Sequence, residues 1–379
     1  MLDIKFIREN SELIREAARK KHIDFDVVKL LEADDLRLKI LKEVEEMRAR
    51  QNAASDNIAK IQNAEERQKA IAEMKELKEK LLARVEDLRK ANDAWRELML
   101  LVPNIPDVSV PEGESDAQNA EIKKWGEIPD FKTKGFEPKG HIELMQKLDM
   151  ADFERGAKVS GFRGYFLKND GALLSFAIWQ YGMEFFMKKG GFSPMIVPSL
   201  VKSETMFGTG YLPQGEEDLY RTQDSEYLAG TAEVSAMGYH FEEILDKKDL
   251  PKKYLCFSPC FRREAGSYGK DVKGLIRVHE FYKLEQVVLC EAEHQESVKW
   301  HEWVNRNTEE FMESLKIPYR TVINCGGDLG LGQVKKYDIE LWVPNENKYR
   351  EISSASYFHD FQTRRLNIRY KDENGKLRF

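Results

Sequence analysis

Cysteine is scarce in this chain: there are four among 379 residues, and only Cys256 and Cys260 stand near one another. With no second pair at ligand spacing a structural zinc site is not expected, and ordinary reduced thiols are the reading. Apolar runs of membrane-spanning length are also missing, so no transmembrane helix and no membrane partner is expected. The opening residues MLDIKFIRENSELIREAARKK carry acids, unlike a secretory or mitochondrial leader, and a cytoplasmic protein is expected. Charge of one sign is not in large excess: 60 Lys and Arg against 66 Asp and Glu leave a formal net charge of -6. That excludes a protein coated in basic surface, so contact with a nucleic acid must rest on local patches. At 41% hydrophobic and 33% charged, the chain has enough length for a large core and a second module.

Glycine and proline are absent from Val27 to Met99, where Ala, Glu, Lys, Arg and Leu dominate; this is helix composition. Ile40, Val44, Met47, Gln51, Ala54, Ile58 and Ile61 recur in steps of four and three, which lines one seam of a coiled coil. Met74, Leu77, Leu81, Val85, Leu88, Trp95 and Met99 line a second, and QNAEER (Gln62 to Arg67) between them lacks apolar anchors and reads as a turn. Two long helices with a short connection lie antiparallel. Periodicity by itself suits a plain spacer or a dimerisation rod.

Leu101 to Phe131 is acidic and punctuated by proline, as a linker is, giving an arm at 1–105, a linker at 106–135 and a body at 136–379. In the body, Ala172 to Lys189 reads as a buried helix stopped by Gly190 and Gly191, and FSPMIVPSL as a strand interrupted by proline. Strand-like segments then alternate with loops to the end: KKYLCFSPCFRR, GLIRVHEFYKLEQVVLC, YRTVINC, YDIELWVP, KYREISSAS and LNIRYKDENGKLRF, the last with an Asn-Gly hairpin turn. Crossover helices are too few for a parallel sheet, so the expected class is α+β, with an antiparallel sheet flanked by helices behind a two-helix coiled-coil arm.

The stretch from Phe261 to Gln286, FRREAGSYGKDVKGLIRVHEFYKLEQ, reads as strand, glycine-rich loop and returning strand. Alternation along the return tends to put Arg277, His279, Phe281, Lys283 and Glu285 on one face. Charges inside a large domain need partners or a charged ligand. Arginines match phosphate oxygens and an aromatic between them can stack on a base, which suggests a nucleoside triphosphate. A solvent-facing strand laced with salt bridges is the bland alternative.

This stretch resembles motif 2 of class II aminoacyl-tRNA synthetases, and in its full form the seryl-tRNA synthetase family. GFSPMIVPSLV with MFGTGYLP resembles the family's motif 1 region, GTAEV (Gly230 to Val234) its serine-binding loop, and YREISSAS with DFQTRRLNIRY the segment before motif 3. The ordered set spans essentially the whole chain, and the helical hairpin matches the family's tRNA-contacting arm. The resemblance implies a ligase that activates L-serine with ATP and charges serine tRNA. It implies that Thr231, Ala232 and Glu233 form the recognition loop and that Glu285 receives the serine ammonium and hydroxyl. Arg262 would bridge the serine carboxylate and the α-phosphate, Arg263 and Glu264 would help place ATP, and Arg277 would hold the terminal phosphates. Phe281 would stack on adenine beside Val278, and Glu351 to Ser354, with Ile352 and Ser353 between, would meet the phosphates, Glu351 and Ser354 ligating Mg²⁺. His279 is expected to be structural. Lys39, Lys42, Arg48, Arg50, Lys60, Arg67, Lys69, Lys75 and Lys78 on the arm would meet tRNA phosphates by shape, and a homodimer through the motif 1 region is implied.

Two departures accompany the resemblance. Ala355 and Tyr357 stand where many members carry cysteine and asparagine, and the family's motif 3 has no counterpart before Phe379. A C-terminally incomplete chain with an unpaired sheet edge is therefore expected. The alternative is a synthetase-like protein, impaired in catalysis, that binds tRNA or an amino acid.

Overall fold

The computed structural model describes residues 1–58, 61–266, 269, 271 and 273–379; Ala59 and Lys60 of the arm and Ser267, Tyr268, Lys270 and Val272 of the glycine-rich loop lie outside the described residues. The chain folds as two units: Asp3–Arg19 with Asp24–Val102, and Met1–Leu2 with Lys20–Ile23 and Pro103–Phe379.

The arm unit comprises α1 (Ile4–Glu9), α2 (Ser11–Lys20), α3 (Val27–Ile58) and α4 (Ala64–Leu100). Arg37 lies over the Trp95 ring at 4.5 Å and Arg84 Nε donates to Glu43 at 2.6 Å, contacts that run α3 and α4 antiparallel. Ile40, Val44, Leu81 and Ala91 form the buried seam, with Met47, Val85 and Leu88 against them. Toward the tip, Gln51, Ala54, Met74 and Leu77 are only half-buried, because two helices alone cannot enclose a stripe. The second helix starts inside QNAEER: Asn63 caps α4, accepting from Glu65 N at 2.9 Å, so Ala64 to Arg67 are already helical. A side-chain cap and two acids in the first turn outweigh the lack of apolar anchors there.

The second unit runs through β1 (Ala120–Trp125), α5 (His141–Lys147), β2 (Ala151–Asp152), α6 (Phe153–Ser160), β3 (Phe166–Leu167), α7 (Asp170–Lys188), β4 (Phe192–Ile196), β5 (Leu200–Val201) and α8 (Ser203–Thr209). It continues with β6 (Tyr220–Arg221), β7 (Tyr227–Leu228), α9 (Ala232–Gly238), β8 (Ile244–Asp246), β9 (Lys252–Phe261), β10 (Glu280–Leu289) and α10 (His294–Ser314). β11 (Tyr319–Ile323), β12 (Lys335–Val343), β13 (Lys348–Tyr357), α11 (Phe361–Arg365), β14 (Arg369–Lys371) and β15 (Leu377–Arg378) complete it.

The larger sheets are β1-β11-β12-β13 and β10-β9-β4. Two features differ from the sequence expectation. β1 lies inside the stretch read as linker and pairs with β11, and β4 runs parallel to β9 although the rest of these sheets is antiparallel. The long connection from β4 to β9, with α8 and α9 in it, supplies the length a parallel return needs. Among the described residues β10 and β13 have no strand on their outer edges. Strand β9 divides the core by its pleat: Tyr254 and Cys256 join one cluster with Val287 and Leu366, whereas Leu255 joins the other with Phe186, Phe311 and Ile339.

The buried Lys21 has no carboxylate beside it among the described residues. Lys21 Nζ donates to the carbonyl oxygens of Gly330 at 3.1 Å, Leu331 at 2.9 Å and Gln333 at 2.6 Å. Burial pushes its pKa down to about 7 from an ordinary 10.5. Between those values the unfolded chain binds the extra proton, so stability must rise with pH across that window. Urea unfolding of this protein beside Lys21→Met should show the wild type gaining on the variant from pH 7 to about pH 10; a pH-independent difference would refute the shift.

Candidate active site

β9 and β10 pair antiparallel over their full length, with Glu285 opposite Cys256, Lys283 opposite Ser258 and Phe281 opposite Cys260. Opposed residues share a face, so Phe281, Lys283 and Glu285 point together. Arg277 and His279 precede the strand, which starts at Glu280, and they reach the site from the loop instead. The expectation of one five-residue strand face is corrected to three strand residues plus a loop. His279 Nδ1 meets the Arg262 carbonyl at 3.0 Å and its ring packs edge-on against Tyr220, a holding role.

Thr231 is the N-cap of α9, accepting from Glu233 N at 3.4 Å, and its hydroxyl donates to Glu285 Oε2 at 2.7 Å. One buried threonine thus ties the helix start to the strand; Ala232, the first residue of α9, packs into the core beneath. Glu233 Oε1 accepts from Gln362 Nε2 at 2.6 Å and Oε2 from the Tyr211 hydroxyl at 3.2 Å. Burial and then the nearby Glu285 push the Glu233 carboxyl above its usual range. Two carboxylates that face each other this way are arranged to receive a cation. Tyr211 and Gln362 stand in the motif segments MFGTGYLP and DFQTRRLNIRY, but the sequence assigns neither a role at Glu233, because only the fold joins them.

Arg262 Nε donates to the Gly230 carbonyl at 3.3 Å, and its guanidinium sits 5.3 Å from the Phe281 ring centroid. Arg263 N donates to the Asp218 carbonyl at 2.9 Å, which anchors the strand exit. Glu264 has φ 57°, a left-handed conformation uncommon for glutamate, and pairs with Arg277. The Nε of Arg277 is buried and has no acceptor among the described residues, a donor that an anionic ligand would satisfy.

Glu351 and Ser354 sit three apart on β13, a spacing that in a regular strand sends side chains to opposite faces. The register slips here, with Ile339 opposite Ser353 and Glu340 opposite Glu351, leaving Ile352 as the extra residue. Because Asp338 is opposite Ser354 and Glu340 opposite Glu351, the bulge brings Glu351 and Ser354 to one face. Asp338 there accepts from Asn324 at 2.6 Å, and burial pushes its carboxyl up to about 7. Tyr357 donates to Asp107 at 2.8 Å, and the Ala355 carbonyl accepts from His301 Nε2 at 2.9 Å. Those two positions, uncertain from sequence, are occupied by structural contacts.

The loop after β9 is pinned to β13: Arg350 grips Asp271 with two bonds of 2.7 and 2.9 Å. Gly274 (φ 94°) passes so close to the His141 ring, which accepts from Leu275 N at 3.1 Å, that a side chain would collide with it. Loop arginine, strand carboxylate and oxygen-bearing β13 are thereby held in one unit.

An antiparallel ladder with an arginine-bearing loop, a parallel strand beside it and a carboxylate tied to a neighbouring helix define the catalytic unit of a class II aminoacyl-tRNA synthetase. Residues 217–379 match the tRNA synthetase class II core domain (G, H, P, S and T), and residues 1–106 match the seryl-tRNA synthetase N-terminal domain. The serine–tRNA ligase of Deinococcus radiodurans is 44% identical over all of this chain and 88% of its own length. The fold is similar to seryl-tRNA synthetase from Pyrococcus horikoshii complexed with ATP (TM-score 0.89, 37% identity, 100% of this chain and 89% of that one). It is also similar to the cytoplasmic enzyme of Naegleria fowleri with AMP (TM-score 0.85, 31% identity, 100% and 88%). The chain belongs to the seryl-tRNA synthetase family.

Cutting the Arg350 grip by Arg350→Met should speed amide hydrogen exchange between Gly274 and His279 by roughly tenfold or more while leaving β9 protected. Unchanged exchange in that loop would mean the ion pair does not order it.

Proposed function

We propose that the chain is a serine–tRNA ligase that converts L-serine and ATP to seryl-adenylate and then passes the seryl group to the terminal ribose of serine tRNA. The 2.7 Å bond from Thr231 to Glu285 carries the reading, since it joins the recognition helix to the strand that follows the arginine-bearing loop. Glu285 receives the serine ammonium and hydroxyl, with Thr231, Ala232 and Glu233 closing the other side. A carboxylate that waits for a hydroxyl penalises alanine, whose missing partner leaves it unpaired. Arg262 bridges the serine carboxylate and the α-phosphate, Arg263 and Glu264 place ATP, Arg277 holds the terminal phosphates, and adenine stacks on Phe281 beside Val278.

In the first step a serine carboxylate oxygen bonds to the α-phosphorus and pyrophosphate leaves. In the second a ribose hydroxyl oxygen bonds to the seryl carbonyl carbon, AMP departs with the electron pair, and the hydroxyl proton is released. No enzyme nucleophile is required; alignment of two anions and compensation of their charge are. Glu351 and Ser354, brought to one face by the bulge with Ile352 and Ser353 between them, are the oxygen donors that would hold Mg²⁺. Bound there, the ion would offset phosphate charge.

The 379-residue chain should catalyse serine-dependent ATP–pyrophosphate exchange, and Glu285→Gln should lower kcat/KM for serine by about 10²–10³. Deleting Gln51 to Leu77, which carries the exposed Arg67, Lys69 and Lys75, should cut tRNA charging yet leave exchange within about twofold. Loss of both together would sink the modular arm, and absence of exchange with tRNA binding retained would favour a binding protein. No helix among the described residues is long and apolar enough to cross a membrane; a cytoplasmic setting is part of the proposal.

A second copy of the chain is the proposed partner for the apolar surface around α7. Leu173, Leu174, Phe176 and Ile178 on that helix and Ile196 at the end of β4 are exposed, Ile196 to 86%. The neighbouring cavity of about 1090 Å³ takes in Val278 and Phe281 beside Phe176 and Trp179, so it belongs to the proposed adenine site and not to this surface. Sedimentation should find a dimer that Phe176→Glu with Ile196→Asp converts to monomer; a monomeric wild type at micromolar concentration would refute it.

A further inference from the structure

We infer that Tyr211 and Gln362 are positioning residues for Glu233 and set how the ammonium end of the amino-acid substrate is received. The inference rests on the reading of Glu233 and Glu285 as the carboxylates that face serine. Three separate elements converge on Glu233. It stands in the first turn of α9; Tyr211 follows α8; and Gln362 belongs to α11, more than a hundred residues away. Gln362 is 5% exposed, and its amide nitrogen donates both to Glu233 Oε1 at 2.6 Å and to the Thr209 carbonyl at 3.2 Å. Both amide protons are committed, so the amide is held against rotation. The Tyr211 hydroxyl spends its single proton on Glu233 Oε2 at 3.2 Å.

Each Glu233 oxygen therefore accepts one bond from a neutral donor and retains a second lone pair. Neutral donors steer a carboxylate without cancelling its charge, whereas an arginine or lysine in their place would satisfy it internally and leave nothing for a ligand. The charged groups around it are Glu285 and Lys283 of β10, whose Nζ lies 3.7 Å from Glu285, and Arg262 at the end of β9, which faces Tyr211. Burial and Glu285 push the Glu233 carboxyl toward protonation, while the bonds from Gln362 and Tyr211 pull it back. The pair thus keeps Glu233 aimed and offsets part of that push, toward receiving a primary ammonium.

The test uses the full chain with Tyr211→Phe and Gln362→Met, measuring serine-dependent ATP–pyrophosphate exchange at varied serine, ATP and pH. Each variant should raise KM for serine about tenfold with KM for ATP held within about twofold, and should move the acid limb of kcat/KM for serine to higher pH. A parallel loss in serine and ATP parameters with the acid limb unmoved would reduce both residues to structural packing and overturn the inference, as would unchanged KM values. Tyr211→Phe removes a single oxygen, so it keeps the test open if Gln362→Met fails to fold. A wild-type chain with no serine-dependent exchange would overturn the serine reading itself, an outcome separate from variants that match an active wild type.

Discussion

A slip of one residue between β9 and β10 would undo both the core and the site. The ladder sends Leu255, Phe257 and Leu284 to one side and Cys256, Phe281 and Glu285 to the other, so a shifted β10 would drive a carboxylate into the cluster of Phe186, Phe311 and Ile339. Burial of an unpaired charge costs several kcal/mol at least. The hydrophobic pattern thus specifies the register, and the register places Glu285 under Thr231. Packing and chemistry are set by the same ten residue pairs.

Around that ladder the fold adds constraints at each end. At its loop end, Arg350 holds Asp271 and Gly274 yields room to His141, so the segment that carries Arg277 leaves β9 on a defined path. On its upper face, α9 begins at Thr231, a residue that uses its oxygen to cap the helix and its proton to fix Glu285. The left-handed backbone at Glu264 is the local cost of aiming its carboxylate back at Arg277. Local strain at such a point persists because strands on both sides of the loop are already fixed.

The arm and the motif-bearing segments were legible in the sequence because their signals are local. Heptad spacing from Ile40 to Val44 and from Leu81 to Leu88 reports a seam directly, and the ladder residues from Cys256 to Glu285 lie within one strand-loop-strand stretch. The site's remaining parts depend on pairs that composition cannot connect. Period-two alternation separates Glu351 from Ser354, and only the bulge at Ile352 reunites them. Gln362 was read as part of a motif, yet its function as a donor to Glu233 requires α11 to return beside α9. The strand at Ala120–Trp125 was hidden by its proline-rich surroundings, since edge strands tolerate irregular flanks.

The same contrast explains where the charges in this chain ended up. On the arm, acids and bases pair along exposed helices at short sequence spacing, such as Arg89 with Glu86 and Asp93, and contribute little to stability each. In the catalytic unit, charges on strand, helix and loop carry bonds from distant elements: Thr231 to Glu285, Gln362 to Glu233, Arg350 to Asp271. Charges whose burial would otherwise be penalised are retained there because each is held by such a bond. The same bonds decide which lone pairs and protons the fold leaves unspent, Glu233 keeping one lone pair on each oxygen after Gln362 and Tyr211 have donated.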